Sequence, residues 1–332
     1  MNHERDHWNC SRHNPGDAAG HYESYFVRAN HPTRPLAFWI RYTVFSPKGR
    51  PGDAVGELWA ICFDAERRGI AAAKQDIPIG ACRFGKTGLD VRIGAATLTD
   101  GQLAGRSTTG QHSLQWDLRY AGSEAPVLLL PKAFYERNFP KAKALVALPN
   151  ALFDGELVVD GETIRVERWV GSQNHNWGSK HTDAYAWGQV AEFDAAPGTF
   201  LECSTARLKV GPFWTPPLSV IVLRLEGREI RLNSLGQAFR AKSSFDFSSW
   251  RVESSTPEVR ISLHMDAPLS AFVGLTYRNP PGGAKTCLNT KLANCELLVE
   301  ETGRPPRKLV ASHRAAFEVL TDRTDHGVPV VV

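Results

Sequence analysis

The sequence predicts an all-β protein folded as two antiparallel β-barrels packed together. Three observations carry that expectation. Short apolar segments recur at regular spacing with turn residues between them, and helical periodicity is nearly absent. The 332-residue length also exceeds what one hydrophobic core usually covers.

Residues 1–20 carry Pro, Gly, Asn and His without apolar periodicity and read as a flexible leader. Strands are expected at 22–29, 36–45, 56–64, 89–93 and 95–99. In the second of these, Phe38, Ile40, Tyr42 and Val44 alternate with Trp39, Arg41 and Thr43, the period of two of a half-buried strand. Pro47, Gly49, Pro51 and Gly52 then make a hairpin loop. The segment 65–74 is the one candidate for a helical turn or two, weakened by Gly69. The strand rhythm continues through 113–120, 155–159, 162–169, 184–193, 200–210, 219–225 and 228–233. Asp154-Gly155, Asp160-Gly161 and Glu226-Gly227 fall between strand-like runs, where residues tolerating positive φ make tight turns. Later strands are expected at 250–254, 259–265, 270–277, 295–301 and 313–320. A boundary near Trp169 divides the chain into barrels of residues 21–168 and 169–332.

The composition, 42% hydrophobic and 22% charged, is that of an ordinary globular protein. A net charge of +4, from 39 basic and 35 acidic residues interspersed along the chain, does not indicate nucleic-acid binding. Cysteines at 10, 62, 82, 203, 287 and 295 show no C-x-x-C pair and read as reduced, mostly buried thiols; a bridge between 287 and 295 is the one alternative. The N-terminus lacks the apolar core of a secretory signal, so a cytoplasmic location is expected. The longest apolar runs fall far below the roughly 20 residues that cross a bilayer. Peripheral contact with a membrane surface stays open, as does the choice between monomer and homodimer.

Residues 169–187 gather Trp169, His175, Asn176, Trp177, His181, Asp183, Tyr185 and Trp187, a density of indole and imidazole that core packing rarely needs. If 174–178 is extended, His175 and Trp177 share one face while Asn174 and Asn176 share the other. Alternatively, the tryptophans fill a barrel interior and His175 is a hydrogen-bonded core residue. His175 and His181 lie six apart without a third ligand at a recognised spacing, which argues against a metal site. There is no G-x-S-x-G elbow and no G-x-G-x-x-G between a strand and a helix.

His175-Asn176-Trp177-Gly178, preceded by Trp169-x-Gly171 and followed by Tyr185-x-Trp187-x-Gln189, resembles the shared motif of the carotenoid 1,2-hydratase, tocopherol cyclase and AttH-like superfamily. Residues 38–43, 57–64 (including Trp59) and 140–143 are also similar to AttH-like members. The resemblance implies two lipocalin-like barrels, a ligand cavity at their junction and no cofactor. In the hydratases the His-x-Trp pair is joined by an aromatic residue two before an aspartate, and the aspartate protonates an isolated alkene. Phe200 and Glu202 stand at that place here, a phenylalanine for a tyrosine and a glutamate for the aspartate.

The expected activity is cofactor-independent, acid-catalysed hydration or cyclisation of a hydrophobic, isoprenoid-like or polyketide-like molecule through a carbocation held by aromatic rings. Its expected catalytic residues are His175, Trp177 and Glu202. The expected substrate-binding residues are Trp169, Asn176, His181, Asp183, Tyr185, Trp187, Phe200 and Trp59, with no metal. Glu202 could instead face solvent or pair with Arg207. Arg41 and Arg119 could hold a ligand's acid group, but a structural ion pair is the expectation for each. The competing functions are a non-catalytic carrier of a lipid or small hydrophobe, and a structural role without a cavity.

Overall fold

The structure, a computed structural model, describes residues 3–67 and 69–332. It is all-β, built from two large antiparallel sheets that curl into lipocalin-like barrels. In the first sheet the strands Gly69–Pro78, Val55–Asp64, Leu36–Ser46 and His21–Asn30 lie side by side, and His21–Asn30 then pairs with Glu162–Gly178. In the second, Ala184–Phe193 pairs on one side with Ala196–Arg207 and on the other with Arg307–Thr321, the last long strand. Each barrel therefore joins its first strand to its last. The passage from one sheet to the other falls between Gly178 and Ala184, some ten residues beyond the expected boundary at Trp169.

The alternation in Leu36–Ser46 is present, but every one of its residues is buried. Leu36, Phe38, Ile40 and Tyr42 enter the core of the first barrel. The opposite face does not meet water. Ala37 and Trp39, with Trp59, Ile61 and Phe63 of the neighbouring strand, pack against Trp187, Leu275, Tyr277 and Leu320 of the second sheet. Removing both faces of a strand from water stabilises it by roughly 1.5–3 kcal/mol per large apolar side chain.

Two hairpins form where expected. Asp160 and Gly161 (φ 52° and 88°) link Ala142–Val159 to Glu162–Gly178, and Glu226 and Gly227 (φ 52° and 73°) link Leu218–Leu225 to Arg228–Leu232. Asp154-Gly155 is not a turn. Strand Ala142–Val159 runs straight through it with a register shift between Phe153 and Gly155, and Asp154 instead accepts a hydrogen bond from the Arg168 N–H. Most of the expected helical segment 65–74 is strand, because Gly69–Pro78 pairs along its whole length with Val55–Asp64; Arg68 within that segment lies outside the described residues. All six cysteines are free thiols. Among the described residues, no helix is long and apolar enough to cross a membrane.

The expected leader also differs. His3–Asn9 is a short helix that buries Trp8 against Leu128, Tyr135, Leu145 and Trp177. Asn9 and Gln173 exchange side-chain hydrogen bonds at 3.0 and 3.2 Å. Polar residues without periodicity hid these contacts, because their partners lie more than a hundred positions away.

Gly171, in the Trp169-x-Gly171 signature, is explained by close strand approach: a Cβ there would sit 1.8 Å from the Arg28 carbonyl oxygen, backbone that cannot move aside. Gly171→Ala is therefore expected to destabilise the protein by about 3 kcal/mol or more, read as a lowered midpoint in chemical denaturation. An unchanged midpoint would contradict the described pairing of strands His21–Asn30 and Glu162–Gly178.

Candidate active site at the seam of the barrels

A cavity of about 240 Å³ opens at the junction of the two sheets, walled by both. From the first barrel come Tyr22, Phe26, Trp39 and Arg41; from the second come Tyr185, Trp187, Glu202, Ser204 and Glu318. Strand pleating selects them. Along Ala184–Phe193 the odd positions Tyr185, Trp187 and Gln189 share one face, while Ala186 and Val190 enter the second barrel's core. Along Ala196–Arg207, Glu202 and Ser204 face the cavity while Leu201 and Cys203 fill that core.

Glu202 is 2% exposed. Its Oε1 accepts a hydrogen bond from Trp187 Nε1 and its Oε2 one from Gln189 Nε2, both at 2.8 Å. Burial pushes the carboxyl up to about 7, against the opposing pull of those two donors and of Arg28. Near neutrality it holds and releases a proton with comparable ease, the property a general acid needs. Gln189 is oriented from behind: its Oε1 accepts from Arg28 Nε (2.8 Å) and Ser172 Oγ (2.6 Å), and its Nε2 also donates to Asn174 Oδ1 (2.8 Å).

His175 and Trp177 take the opposite face of their strand. His175 Nδ1 donates to the Trp8 carbonyl at 2.7 Å, its Nε2 lies 2.9 Å from Glu23 Oε1, and its ring stacks on Tyr25 at 4.2 Å. Both nitrogens are spent, so His175 reaches the cavity wall without a free edge for a substrate or for Glu202. Trp177 packs with Trp8 and Tyr135, under the Arg12 guanidinium at 4.4 Å. A cation already covers that ring.

Glu23 is the hub on this side. Its carboxylate is fully buried and receives donors from Ser11 Oγ, the Arg12 and His13 N–H groups and the Tyr25 hydroxyl, and faces His21 and His175. Burial opposes its ionisation, but the hydrogen bonds and charges of His175 and His21 prevail and hold it well below the usual carboxylate range.

The remaining expected residues divide. Asn176, His181, Tyr185 and Trp187 line the cavity. Asn176 Oδ1 has no partner there. His181 stacks on Tyr22 at 4.0 Å with Nε2 against the Arg278 carbonyl, and burial, then the nearby charge of Arg41, pushes it down to about 3, so it stays neutral. Trp169 stacks on Phe38 inside the first barrel. Phe200 is buried among Val127, Val146, Val170 and Val222. Trp59 lies in the seam beneath Lys74, away from the cavity lining. Asp183 is bound by Lys180 Nζ (2.5 Å) and the Lys209 N–H (3.0 Å) outside it. Those four, with Trp177, are not among the residues that line the cavity. Glu202 neither faces solvent nor pairs with Arg207, and Arg119 is exposed. Tyr22, Phe26, Trp39, Asn174, Ser204 and Glu318 line the cavity without having been expected there, as does Arg41, for which a ligand's acid group was the alternative to an ion pair; Gln189 stands behind Glu202, and the alternation of 185, 187 and 189 was its signal. Among the described residues, no group of three or more His, Cys, Asp or Glu side chains is placed to hold a metal ion.

The all-β fold of two packed lipocalin-like barrels is shared with solved structures of AttH-like type. Over 94% of this chain and 98% of the other, it superposes on an AttH-like protein of Nitrosomonas europaea with a TM-score of 0.57 at 16% identity. Kievitone hydratase of Nectria haematococca aligns with a TM-score of 0.57 at 11% identity over 91% of this chain and 89% of its own. CghA solved with Sch210972 aligns at 0.53 and 10% identity, covering 91% and 88%. In sequence, an uncharacterized protein of Mycobacterium tuberculosis (strain ATCC 25618 / H37Rv) is 27% identical over 284 residues, 84% of this chain and 82% of that protein. No family model matches the chain.

Glu23→Gln is expected to cost about 3 kcal/mol at neutral pH, as when one member of a buried pair is removed. The sign with pH follows from the depressed folded-state pKa. The contribution is present above the unfolded value of about 4.3 and is lost as pH falls through the lower folded value. Denaturation midpoints measured across acid pH should fall for the native protein and flatten for the variant; equal profiles would refute the assignment.

Proposed function

We propose that the protein is a cofactor-independent acid catalyst that hydrates or cyclises a hydrophobic, isoprenoid-like or polyketide-like molecule at the seam of its barrels, with Glu202 as the proton donor. One observation carries the reading: a buried carboxyl raised to about 7 lies on the wall of a largely apolar cavity and is aimed by Trp187 and Gln189. The shared fold with a hydratase and with CghA supports the reaction class.

The protonated Glu202 gives its proton to one carbon of an alkene, forming a C–H bond and leaving positive charge on the neighbouring carbon. Trp187 and Tyr185 offer π-faces to that charge, each ring contributing roughly 0.5–2 kcal/mol. Water then attacks the cation, or an internal hydroxyl or double bond does so, and the proton that is released returns to the Glu202 carboxylate. Hydration adds H and OH across the double bond; cyclisation adds nothing. Both His175 nitrogens are engaged, by the Trp8 carbonyl and by Glu23, so it positions the strand and the Glu23 hub and moves no proton in this sequence.

A carrier of small hydrophobes would use the same cavity but would have no need of a carboxyl poised near neutrality, which favours catalysis. Glu202→Gln separates the two. Native mass spectrometry should find the same co-purified hydrophobe in wild type and variant, while conversion of that compound falls by a factor of about 10² or more in the variant. Wild-type turnover should decline as pH rises through about 7, because the acid form is lost. Turnover unchanged in the variant removes Glu202 as the acid; bound ligand without any turnover leaves the carrier.

A further inference from the structure

Arg41 is 4% exposed on the cavity wall; burial opposes its charge, but the fields of Tyr277, Glu57 and Glu318 outweigh that burial and hold it in its charged form. Its Nη2 donates to Ser24 Oγ at 2.7 Å, whereas its Nε has no partner. The carboxylates whose fields reach it are engaged by nearer cations. Glu57 is bound by Arg278 at 2.5 Å and Lys74 at 3.3 Å, and Glu318 by Lys291 at 2.9 Å. Two positions earlier on the same strand face, Trp39 is 1% exposed, lines the same cavity, and likewise leaves its Nε1 without an acceptor. The guanidinium carbon lies 5.9 Å from the Trp39 ring and 4.4 Å from that of Tyr277.

Buried donors without acceptors are uncommon, because each forfeits hydration without replacement, and a guanidinium forfeits most. Two such donors on one cavity wall, both lacking an acceptor and one carrying a full charge, define a receptor for an oxygen anion. The geometry points to a substrate that carries a carboxylate or an equivalent delocalised oxyanion, held at the Arg41 and Trp39 end of the cavity. The inference rests on the cavity being the substrate site, as proposed above, and adds the chemical class of the molecule that enters it.

The orientation of that molecule follows. From Arg41 the wall continues through Trp39, Phe26 at 6.1 Å from Trp39, and Trp187 at 6.2 Å from Phe26, to Glu202 at 2.8 Å from the Trp187 nitrogen. Cation and acid are thus linked along one cavity wall by a run of aromatic rings. A substrate anchored by its anionic end presents its apolar body to those rings and its reacting double bond to Glu202. A neutral hydrocarbon would leave the Arg41 Nε and Trp39 Nε1 donors without an acceptor, so the site selects against one.

Calorimetric titration with dodecanoate, dodecanol and methyl dodecanoate, at a pH where the acid is ionised, tests the assignment. Wild type should bind dodecanoate about tenfold or more tightly than either neutral analogue, the gain expected of a charge-assisted hydrogen bond. Arg41→Gln should bring the three to parity, Arg41→Lys should retain part of the preference, and thermal melts of both variants report whether the fold persists. Glu202→Gln should keep the full preference, which separates this inference from the choice of proton donor. Equal affinities in wild type, or failure of all three probes to bind, would overturn it, and neither result depends on a variant folding.

Discussion

The orientation of one amide governs the chemistry of the seam. Gln189 lies between Arg28 of the first barrel and Glu202 of the second, and Arg28 has only donors to offer. The amide oxygen must therefore turn toward Arg28, and Ser172 Oγ adds a second donor to the same oxygen. Its NH₂ group is left to face Asn174 and Glu202. The first barrel thus sets how the acid on the second is held, through hydrogen bonds that cross the interface. Burial depresses even Arg28, to about 9, so the charge behind Gln189 is a cation kept in a dry site.

Two buried glutamates show how environment decides between structure and reactivity. Glu23 is surrounded by donors, backbone N–H groups among them, and stays ionised. Glu202 has only two donors and apolar neighbours such as Phe200 and Val222, so its charged form is barely favoured at neutrality. The residues that gather around Glu23, Trp8 through His13 and His21, form a locked corner of the first barrel, and His175 belongs to that corner. Its proximity in sequence to cavity residues reflects the pleat: neighbours on a strand look in opposite directions.

Much of this was legible from the residues alone. Alternation identified the strands, and Asp160-Gly161 identified the turn that joins the two longest strands of the first barrel. Pleating separated His175 and Trp177 from Asn174 and Asn176, but nothing local said which pair faced the cavity. That depends on partners such as Glu23 and Trp8, some 150 positions or more distant in sequence. The polar members of the seam were hidden for a related reason. Arg28, Arg41 and Thr43 alternate with apolar residues as solvent-facing residues would, and only docking of the second barrel buries them. Gly171 and Gly178 gained their meaning from strands pressed against them, which no single-strand pattern reveals.

The way each barrel closes has a consequence for how the chain acquires its shape. His21–Asn30 finds its second neighbour only in Glu162–Gly178, and Ala184–Phe193 finds its own in Arg307–Thr321. A nascent chain emerging from the ribosome must hold the apolar faces of its early strands unpaired until well over a hundred further residues have appeared, and loops of that span close slowly. The helix at His3–Asn9, whose Trp8 carbonyl meets His175, completes its docking only once that late strand is in place, so a segment that precedes the first barrel strand settles after the strand that closes the barrel.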